Sequence, residues 1–462
     1  MAGGHRVPRP RRVVVVGASL AGMFAAAACT GAGHAVTVLE RDVLPSAPRP
    51  RPGVPQGRQP HVLLYRGLLA LEELLPGLGE DLREAGAVDL DTGDLAWLGE
   101  AGWSPYRSRQ FRILSVTRPL LEHLVLERVR QLPRLAVFDA SRVVSVSRGR
   151  DSPWQVATDD GSVHDADLVI DASGRGSRLP AWLAGAGVGP VAVSDVDART
   201  GYATREYAVR PGRVGPAGVV VLQTPTTRAG GLALPVEGGR WLVTAVGSGE
   251  HRPPRDADGF ESFLQALCDP AVAEVVGGSW PLSDVAVHRQ TANRRLHYER
   301  LRPWPSGLLV VGDAFCAFNP VYGQGIAVAA CEALLLRRTL ERGLRPGTER
   351  RLLRDFARLT ALPWGIATSE DLRMPTSDSA PTAVQSLTGR WVREVARLSA
   401  HGDERAQWAM TRVYHLMASP RVLMHPALVM AAVRAHVSGY GPLNPRPQIT
   451  VPPTAAPGPP RP

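Results

Sequence analysis

The chain opens with a pattern of apolar and polar positions that is typical of a βαβ unit. Four consecutive valines at residues 13–16 form an apolar run that predicts a buried parallel strand. The small residues at 19–29 predict a helix that packs closely on that strand, and residues 35–39 predict a second strand. This order places the N terminus of the helix at the edge of a parallel sheet.

Later patterns predict an antiparallel sheet and then a helical region. Residues 191–249 are rich in strand patterns and predict an antiparallel sheet inserted into the first domain. A buried strand, a loop and a long helix follow at 308–340, and the pattern stays helical to about residue 437. The other predicted elements are a helix at 63–75, a helix from Thr117 as N-cap with Pro119 in its first turn, and strands within 136–148 and 154–173 with a hairpin at Asp160-Gly161.

Residues 17–42 nearly spell a dinucleotide-binding fingerprint. Gly17 allows a tight turn, and Ser19, at the position of the middle glycine, is small enough for a phosphate to approach. The unpaired N–H groups and the positive dipole end of the helix favour a pyrophosphate. Glu40 lies at the spacing where a carboxylate accepts from a ribose hydroxyl. The sequence therefore predicts an adenine-dinucleotide site that includes Gly17, Ser19, Ala21, Gly22, Glu40 and Arg41.

The composition of the chain indicates which classes of partner the protein can bind. The 462 residues carry a formal charge of +10 and include no lysine, so arginine supplies every strong side-chain cation. This charge is spread along the chain, without a basic helix that carries interleaved aromatic residues. The pattern argues against nucleic acid and leaves an acidic carrier protein open as a partner. Four cysteines without Cys-x-x-Cys spacing predict neither a disulfide framework nor a metal site.

The hydrophobic segments also bear on location. The residues before the first strand include no apolar segment of signal-peptide length, and no run reaches the length of a membrane span. We therefore expect a cytoplasmic enzyme without a membrane span. A proline-rich segment from about residue 442 onward predicts a disordered tail.

Three separated stretches resemble the class A-like flavoprotein monooxygenases. The first is the fingerprint, the second is DADLVIDASGRGSRLPAWL at 165–183, and the third is VVGDAFCAFNPVYGQGIAVA at 310–329. The resemblance reaches to about residue 340 and implies that the dinucleotide is FAD. Together with the patterns described above, it predicts an α/β fold of five parts: a glutathione-reductase-like Rossmann FAD domain at 1–190 and 291–355, an inserted antiparallel-sheet substrate domain at 191–290, a C-terminal helical region at 356–440 and a disordered tail at 441–462.

The resemblance places the flavin end of the site in the third motif. Asp313 is expected to accept a hydrogen bond from a ribityl hydroxyl, and the helix that begins near Gly325 is expected to aim its N–H groups at the isoalloxazine. Pro320 and Gly323 allow a close approach of the backbone to the ring. Arg118 matches a family position near the FAD. The cofactor ligands implied by these later motifs are Arg118, Asp171, Gly174, Gly312, Asp313, Pro320, Gly323 and Gly325.

The second motif departs from the family pattern. Aromatic hydroxylases usually carry an Asp-Gly pair where Ser173-Gly174 stands, and Asp171 lies two positions earlier. That pair is tied to both FAD and NADPH handling in the family. We therefore expect NAD(P)H to supply electrons either directly or through a separate flavin reductase.

Three residues are candidates for contact with the flavin or the substrate. Arg58 and His61 precede a helix and approach the flavin or its entry channel in one interpretation, although a lone histidine is more often structural. Tyr322 fills a loop that usually holds small residues in aromatic hydroxylases, and it either contacts substrate or packs outward. No pattern of histidine or tyrosine indicates a base, so the catalytic residues stay unknown.

Several reactions fit these motifs. Reduced flavin and oxygen give a C4a-hydroperoxide, which epoxidises alkenes or hydroxylates phenols. The PVYGQG and GVPQGR stretches look most like a squalene-epoxidase-like bacterial branch, so the first expectation is epoxidation of a small lipophilic alkene. The alternatives are hydroxylation of an aromatic or polyketide substrate and hydride transfer by an alkene reductase of the geranylgeranyl-reductase kind. Family halogenases rely on an active-site lysine, which this chain lacks.

Overall fold

The structure is a computed structural model that describes residues 11–148, 153–209 and 215–449. The strands are β1 (Arg12–Val16), β2 (Ala35–Leu39), β3 (Pro60–Leu63), β4 (Val88–Asp91), β5 (Leu95–Gly99), β6 (Gly102–Trp103), β7 (Arg112–Thr117), β8 (Leu135–Phe138), β9 (Val143–Arg148), β10 (Trp154–Thr158), β11 (Val163–Ala166), β12 (Leu168–Asp171), β13 (Val193–Val196), β14 (Thr200–Ala208), β15 (Gly218–Val221), β16 (Ala229–Val236), β17 (Arg240–Ser248), β18 (Ala286–His288), β19 (Asn293–Leu296), β20 (Leu308–Val310) and β21 (Cys316–Ala317).

The α-helices of the described residues are α1 (Leu20–Gly31), α2 (Tyr65–Leu74), α3 (Leu78–Glu84), α4 (Arg118–Arg130), α5 (Leu179–Gly185), α6 (Ala257–Gln265), α7 (Ala271–Val276), α8 (Gly325–Glu341), α9 (Thr348–Leu359), α10 (Ala361–Asp371), α11 (Ala383–Ala400), α12 (Glu404–Tyr414) and α13 (Pro426–Ser438).

A parallel sheet of five strands, in the order β20-β12-β1-β2-β8, forms the centre of the nucleotide-binding part. Its middle strands are continuous apolar runs because helices cover both faces of a parallel sheet. The register places Val16 opposite Asp171, and Asp171 opposite Val310. Three strands therefore end at one edge, so the turns that follow β1, β12 and β20 meet there. These turns carry the three motifs found in the sequence.

A second large sheet has seven strands, in the order β18-β14-β17-β16-β15-β5-β6. It is antiparallel except where β15 runs parallel to β5, with Val220 opposite Trp97. One face packs on α6 and α7 around buried residues such as Val243, Ala245 and Phe260. The other face is turned towards the nucleotide-binding part, where three smaller sheets, β11-β10-β9, β13-β19-β21 and β3-β7-β4, complete the fold.

The C-terminal helices form a layer with its own apolar core. Val395, Leu398, Ala406 and Leu428 are among the buried residues of this core. Residues 441–449 contain no helix or strand, yet the guanidinium of Arg446 lies 2.9 Å from the Asp269 carboxylate. Residues 450–462, which make up most of the predicted disordered tail, lie outside the described residues.

The predicted fold class is confirmed, since a Rossmann-like parallel sheet, an antiparallel sheet and C-terminal helices are all present. The Thr117 cap is also confirmed, because its hydroxyl accepts from the N–H of Leu120. The helix predicted at 63–75 starts two residues later, since residues 60–63 pair with β7 as a strand. The sequence pattern misses β5 and β6. The residue limits drawn for the five parts stay predictions.

Candidate active site

The turn after β1 has the shape that a dinucleotide needs. Gly17 has a φ of 102°, and a Cβ at Gly22 would lie 1.9 Å from the carbonyl oxygen of Gly17. Only glycine fits both positions without displacing the backbone. Ser19 is the N-cap of α1, and its side chain makes no capping hydrogen bond. The positive end of the α1 dipole therefore faces the space beside this turn.

Glu40 lies at the end of β2, next to the fingerprint turn, as the sequence predicts for a ribose ligand. It is buried, and its Oε2 accepts from the N–H of Ala18 at 2.7 Å. Its Oε1 accepts from the N–H of Asp42 at 3.0 Å. Arg41 turns away, since its side chain is more than half exposed and lies 3.8 Å from the Asp42 carboxylate.

An arginine that the sequence analysis misses sits beside Glu40. The guanidinium of Arg51 is buried and lies 3.2 Å from Glu40, 3.1 Å from Asp42 and 3.3 Å from Glu122. It also donates to the carbonyl of Ala18 at 3.1 Å. This cluster fixes the loop after β2 against the fingerprint turn. The proline- and arginine-rich sequence of this loop does not indicate which of its arginines is buried.

Arg118, a cofactor ligand in the resemblance, lies next to the fingerprint turn. It is the first residue of α4 and is buried, and its Nη2 donates to the Ser19 hydroxyl at 3.1 Å. Its Nε donates to Glu122 at 2.9 Å, which holds the guanidinium in place. One more positive charge therefore lies at the N terminus of α1, where a pyrophosphate carries negative charge.

The second motif faces inward at Asp171 and outward at Gly174. Asp171 is buried and accepts from the Ser173 N–H at 3.0 Å and from the hydroxyls of Ser173 and Ser177. Burial raises the pKa of Asp171, although these donors oppose the shift. Its carboxylate is thus occupied within its own turn. Gly174 has a φ of 77° and open space where a Cβ would be.

Arg175 joins the second motif to the third. Its guanidinium donates to the carbonyls of Ala292 and Phe318, the former at 2.6 Å, and its Nε lies 3.5 Å from the Asp313 carboxylate. Asp313 follows Gly312 in the turn after β20, and about a third of its side chain is exposed. Its carboxylate is therefore accessible to a hydroxyl donor.

Gly312 brings the third motif against the first. It has a φ of 62°, and a Cβ there would lie 2.5 Å from the Cβ of Ala21 on α1. Its N–H donates to Oε2 of Glu332 at 2.8 Å. Glu332 is fully buried on α8, and burial raises its pKa to about 8. The sequence analysis misses Glu332, although a lone acidic residue within the apolar run of α8 is a usable signal.

Residues 319–324, which we call the flavin loop, lead into α8. Pro320 opens a short 3-10 turn, Gly323 follows with a φ of 64°, and α8 begins at Gly325 as predicted. A Cβ at Gly323 or Gly325 would meet no atom within 4 Å, so the backbone borders open space. Gln324 is fully buried, and its amide oxygen and nitrogen have no hydrogen-bond partner among the described residues.

These features fit FAD. The fingerprint turn, Arg118 and the α1 terminus would hold the pyrophosphate, and Glu40 would hold the ribose. Asp313 would hold the ribityl chain, and the open glycine backbone of the flavin loop would border the isoalloxazine. The unpaired amide of Gln324 is a further sign that this place is completed by a bound group.

Tyr322 points into a buried polar network rather than outward into solvent. Its hydroxyl donates to Oδ1 of Asp371 at 2.8 Å, and its carbonyl accepts from the hydroxyl of Tyr414 at 3.1 Å. Burial, and then the charge of Asp371, raises the pKa of Tyr322 well above its usual value. Asp371 is the last residue of α10 and lies 49 residues after Tyr322 in the sequence. No sequence motif predicts the hydrogen bond between the two side chains.

The structure places the two candidate residues before α2, Arg58 and His61, in different surroundings. His61 lies on β3, and its Nδ1 is 2.7 Å from the carbonyl of Gln59. Burial, and then the charge of Arg118, lowers the pKa of His61 to about 3. Arg58 is exposed. The structure thus brings His61 near the Arg118 end of the site and leaves Arg58 at the surface.

One row of side chains crosses the seven-stranded sheet on the face turned towards the flavin loop. The register aligns Trp97, Val220, Leu232, Thr244 and Thr204 across five neighbouring strands. At one end the ring of Trp97 lies edge-on to Tyr414, with centroids 5.8 Å apart. At the other end Tyr202, on the same face of β14, donates to Asn319 of the flavin loop. Both ends of the row are therefore tied to the flavin loop.

Comparisons with known proteins show the family of the chain. The chain matches the FAD binding domain family over residues 11–358. It is 33% identical to Protein Rv3254 of Mycobacterium tuberculosis (strain ATCC 25618 / H37Rv) over 359 residues, which are 73% of this chain and 74% of the relative. The chain belongs to the FAD binding domain family, in the class A-like flavin monooxygenase type of flavoprotein oxidoreductases.

Solved structures share the fold at low sequence identity. A flavoprotein/dehydrogenase from Cytophaga hutchinsonii matches with a TM-score of 0.66 and 15% identity, over 92% of this chain and 99% of that chain. The flavin-dependent brominase Bmp2 matches with 0.62 and 13%, over 92% and 98%. PqsL from Pseudomonas aeruginosa matches with 0.59 and 18%, over 79% and 98%. The predicted squalene-epoxidase-like branch stays a prediction.

Two further findings concern ions and membranes. In the three described ranges, no group of three His, Cys, Asp or Glu side chains is placed to hold a metal ion. Within the same ranges, no helix combines the length and the apolar character needed to cross a bilayer.

Proposed function

We propose that the protein is an FAD-dependent monooxygenase that transfers one oxygen atom from dioxygen to a small lipophilic substrate, with epoxidation of an alkene as its reaction. FAD, when bound, carries two electrons and activates dioxygen. The chain itself has to hold the flavin, orient the substrate and exclude water from both. NAD(P)H supplies the electrons in this proposal, directly or through a separate flavin reductase.

The observation that carries the choice of substrate is the row from Trp97 to Thr204. Its centre, Val220 and Leu232, is apolar, and the two threonines at one side bond to each other at 2.6 Å. The Thr204 hydroxyl also donates to Gln59. Thr204 and Thr244 are buried with their hydroxyls paired, so the surface that this row presents consists of the partly exposed apolar side chains of Trp97 and Leu232. Such a surface favours a lipophilic substrate, because burying apolar area is the main source of binding free energy there.

The ionisable groups near the flavin loop favour epoxidation over phenol hydroxylation. Hydroxylation gains from a base that removes the phenol proton, whereas an alkene has no proton to lose. With its pKa of about 3, His61 is a weak base, and burial also lowers the pKa of His288. The carboxylate of Asp371 is buried and already accepts from three side chains. Neither histidine is therefore poised as a general base, and the oxygens of Asp371, whose pKa burial raises to about 6, are taken up by these donors.

A second reaction, hydroxylation of an aromatic or polyketide substrate, is favoured by one contact. The Tyr322 hydroxyl lies in the flavin loop and donates to the carboxylate of Asp371, whose pKa burial raises to about 6. A substrate hydroxyl that reached Tyr322 would join this hydrogen bond. Hydride transfer to an alkene, as in the geranylgeranyl-reductase kind of enzyme, is the third outcome of the test below.

The test follows the oxygen atom. Purified protein with bound FAD is incubated with a panel of terpenoid and polyketide alkenes and phenols, with labelled dioxygen and a flavin reductase as electron source. We expect one labelled oxygen in an epoxide, and slower turnover when NADPH is supplied without the reductase. A matched reaction without oxygen serves as the control. A reduced product without label, formed at the same rate without oxygen, would instead establish the alkene reductase.

The pH profile separates the two oxygenations. Epoxidation is expected to show no rate step at the pKa of the substrate, because the alkene does not ionise. Hydroxylation of a phenol is expected to rise through the pKa of that phenol. A labelled hydroxyl on the ring together with such a rise would replace epoxidation by hydroxylation in this proposal.

A further inference from the structure

Five polar side chains from four parts of the fold meet behind the flavin loop, and all of them except the partly exposed Tyr322 are buried. They are joined by hydrogen bonds around one carboxylate, and we call them the Asp371 network. Its members are Asp371 at the end of α10, Asn293 at the start of β19, Asn319 and Tyr322 in the flavin loop, and Tyr202 on β14.

The carboxylate of Asp371 accepts from three different side chains. Its Oδ2 accepts from the amide of Asn293 at 2.6 Å and from the amide of Asn319 at 3.1 Å. Its Oδ1 accepts from the hydroxyl of Tyr322 at 2.8 Å and from the amide of Asn319 at 3.2 Å. Two of the three partners belong to the flavin loop, so the carboxylate holds both ends of the short turn at 320–322.

Asn319 carries the network into the backbone of the loop and into the sheet. Its side-chain oxygen accepts from the N–H of Val321 at 3.3 Å and from the hydroxyl of Tyr202. Its own N–H donates to Oδ1 of Asn293 at 2.8 Å. These bonds fix the turn that precedes Gly323, where the chain takes a φ of 64° before α8 begins.

The network uses a carboxylate although its partners are all neutral. The next cation along the chain, Arg373, bonds instead to Glu370 and Glu100 at 2.8 and 2.6 Å. A buried carboxylate without a paired cation costs free energy unless its lone pairs are hydrogen-bonded. An amide in its place has one oxygen for three donors and adds two N–H groups of its own. Only a carboxylate side chain satisfies this arrangement of donors.

We propose that Asp371 is the positioning residue of the flavin loop, which it holds in the conformation that contacts the isoalloxazine. It acts through Asn319 and Tyr322 and does not itself touch the cofactor. The inference rests on the proposed function for the place of this loop beside the flavin ring. Asp371 belongs to the C-terminal helical layer, beyond the residues 11–358 that match the family.

The test measures FAD binding and the flavin spectrum, neither of which needs oxygen transfer. In Asp371→Asn the charge is lost, and one of the three donors is left without an acceptor. We expect a Kd for FAD at least tenfold higher, because lost hydrogen bonds at buried donors weaken the loop. We also expect a shifted flavin absorption spectrum and reduction potential, since the backbone at Gly323 and Gly325 would no longer be held in one orientation beside the ring.

Glu370→Gln is the matched control. Glu370 is the neighbouring acid on α10, but its side chain is nearly half exposed and bonds to Arg373. Glu370→Gln removes one negative charge from the same turn of α10 and leaves the hydrogen bonds to the flavin loop in place. We expect its Kd for FAD to stay within twofold of the wild type and its flavin spectrum to be unchanged.

Tyr322→Phe is the second variant and removes a single donor from the network, so it keeps the test decisive even where Asp371→Asn does not fold. A three- to fivefold higher Kd and a smaller spectral shift in the same direction are expected. Wild-type Kd, spectrum and potential in folded Asp371→Asn, or in Tyr322→Phe, would overturn the inference and leave the network with a role in stability alone. If these effects appear while labelled oxygen never reaches a product, the proposed reaction fails and the role of Asp371 stands.

Discussion

At the residue scale, Glu332 is a buried acid with a strongly raised pKa. It lies on α8, behind the turn that presents Asp313, and it is fully buried. Its Oε2 accepts from the Gly312 N–H, while its Oε1 has no hydrogen-bond partner among the described residues. Burial raises its pKa to about 8, because the charged form is poorly solvated. The folded protein therefore binds a proton that the unfolded chain releases above its ordinary pKa.

This proton predicts a pH dependence of stability. Between the ordinary pKa of 4.5 and about 8, the folded state keeps the proton and the unfolded state loses it, so the free energy of unfolding falls as pH rises through this window. Glu332→Gln keeps an acceptor for Gly312 and removes the titration. We expect this variant to be more stable than the wild type at pH 8 by about 1–3 kcal/mol, with a flatter profile. Urea unfolding at a series of pH values measures both.

Glu341→Gln is the control for this experiment, because Glu341 lies on the same helix and its side chain is nearly half exposed. Its profile should follow that of the wild type. A Glu332→Gln profile with the wild-type slope would show that Glu332 does not bind the proton.

Glu40 carries a prediction about the cofactor. Its replacement in Glu40→Ala removes the expected acceptor for a ribose hydroxyl, and FAD affinity should fall by roughly 1–3 kcal/mol. Asp42→Asn is the comparison, because Asp42 shares Arg51 with Glu40 but follows β2 by three residues. Titration of apoprotein with FAD measures both variants. An equal loss in the two would assign the effect to Arg51 rather than to the ribose contact.

At the element scale, the site depends on how closely α1 approaches the turn after β20. Ala21 on α1 and Gly312 in that turn leave no room for one more carbon atom. α1 also packs along α8, whose first residue, Gly325, lies next to the flavin loop. The two FAD motifs are therefore held together by the contact of small residues, and any side chain added there pushes α1 away from the sheet.

Gly312→Ala tests this contact. The new Cβ would lie 2.5 Å from the Cβ of Ala21, and the alanine would have to keep the positive φ of Gly312. We therefore expect a loss of about 2–4 kcal/mol in the free energy of unfolding. Gly347→Ala has a comparable φ of 77° but open space, so it should lose only the conformational part, about 1 kcal/mol. Equal losses in the two variants would show that backbone strain, and not the contact with α1, limits this position.

At the scale of the whole molecule, the flavin loop is where the three layers meet. The parallel sheet delivers the loop, the seven-stranded sheet contacts it through Tyr202, and the C-terminal helices contact it through Asp371 and Tyr414. A change in one layer can therefore reach this loop through a few hydrogen bonds. The hydrogen bond from the seven-stranded sheet comes from the hydroxyl of Tyr202.

Tyr202→Phe isolates this contact. We expect a loss of about 1 kcal/mol in stability and, in addition, faster release of FAD and a lower kcat with KM less affected. Tyr207→Phe is the matched control, since Tyr207 is equally buried on the same strand but faces away and donates to Glu261. It should lose stability with unchanged FAD release. If the two variants release FAD at the same rate, the sheet does not support the flavin loop through Tyr202.

Local pattern is enough to predict the Rossmann unit, the cap at Thr117 and the start of α8 at Gly325. It is enough because the valine run, the capping residue and the glycines encode their own conformations. It does not predict the partners of Arg51 or Asp371, since each joins segments far apart in sequence. Arg51 is one arginine among many in its loop, and Asp371 ends a helix whose sequence gives no hint of Tyr322. Such contacts depend on tertiary packing.

The two short strands at residues 95–103 make the seven-stranded sheet discontinuous in sequence. β15 pairs with β5, with Val220 opposite Trp97. The sheet is therefore complete only when residues 95–103 join strands that follow about a hundred residues later in the chain. The seven-stranded sheet is consequently not contained in one continuous segment of the chain. A chimera that exchanges residues 191–290 with a relative would pair a foreign β15 with a native β5, so recombination among these enzymes has to move both segments together.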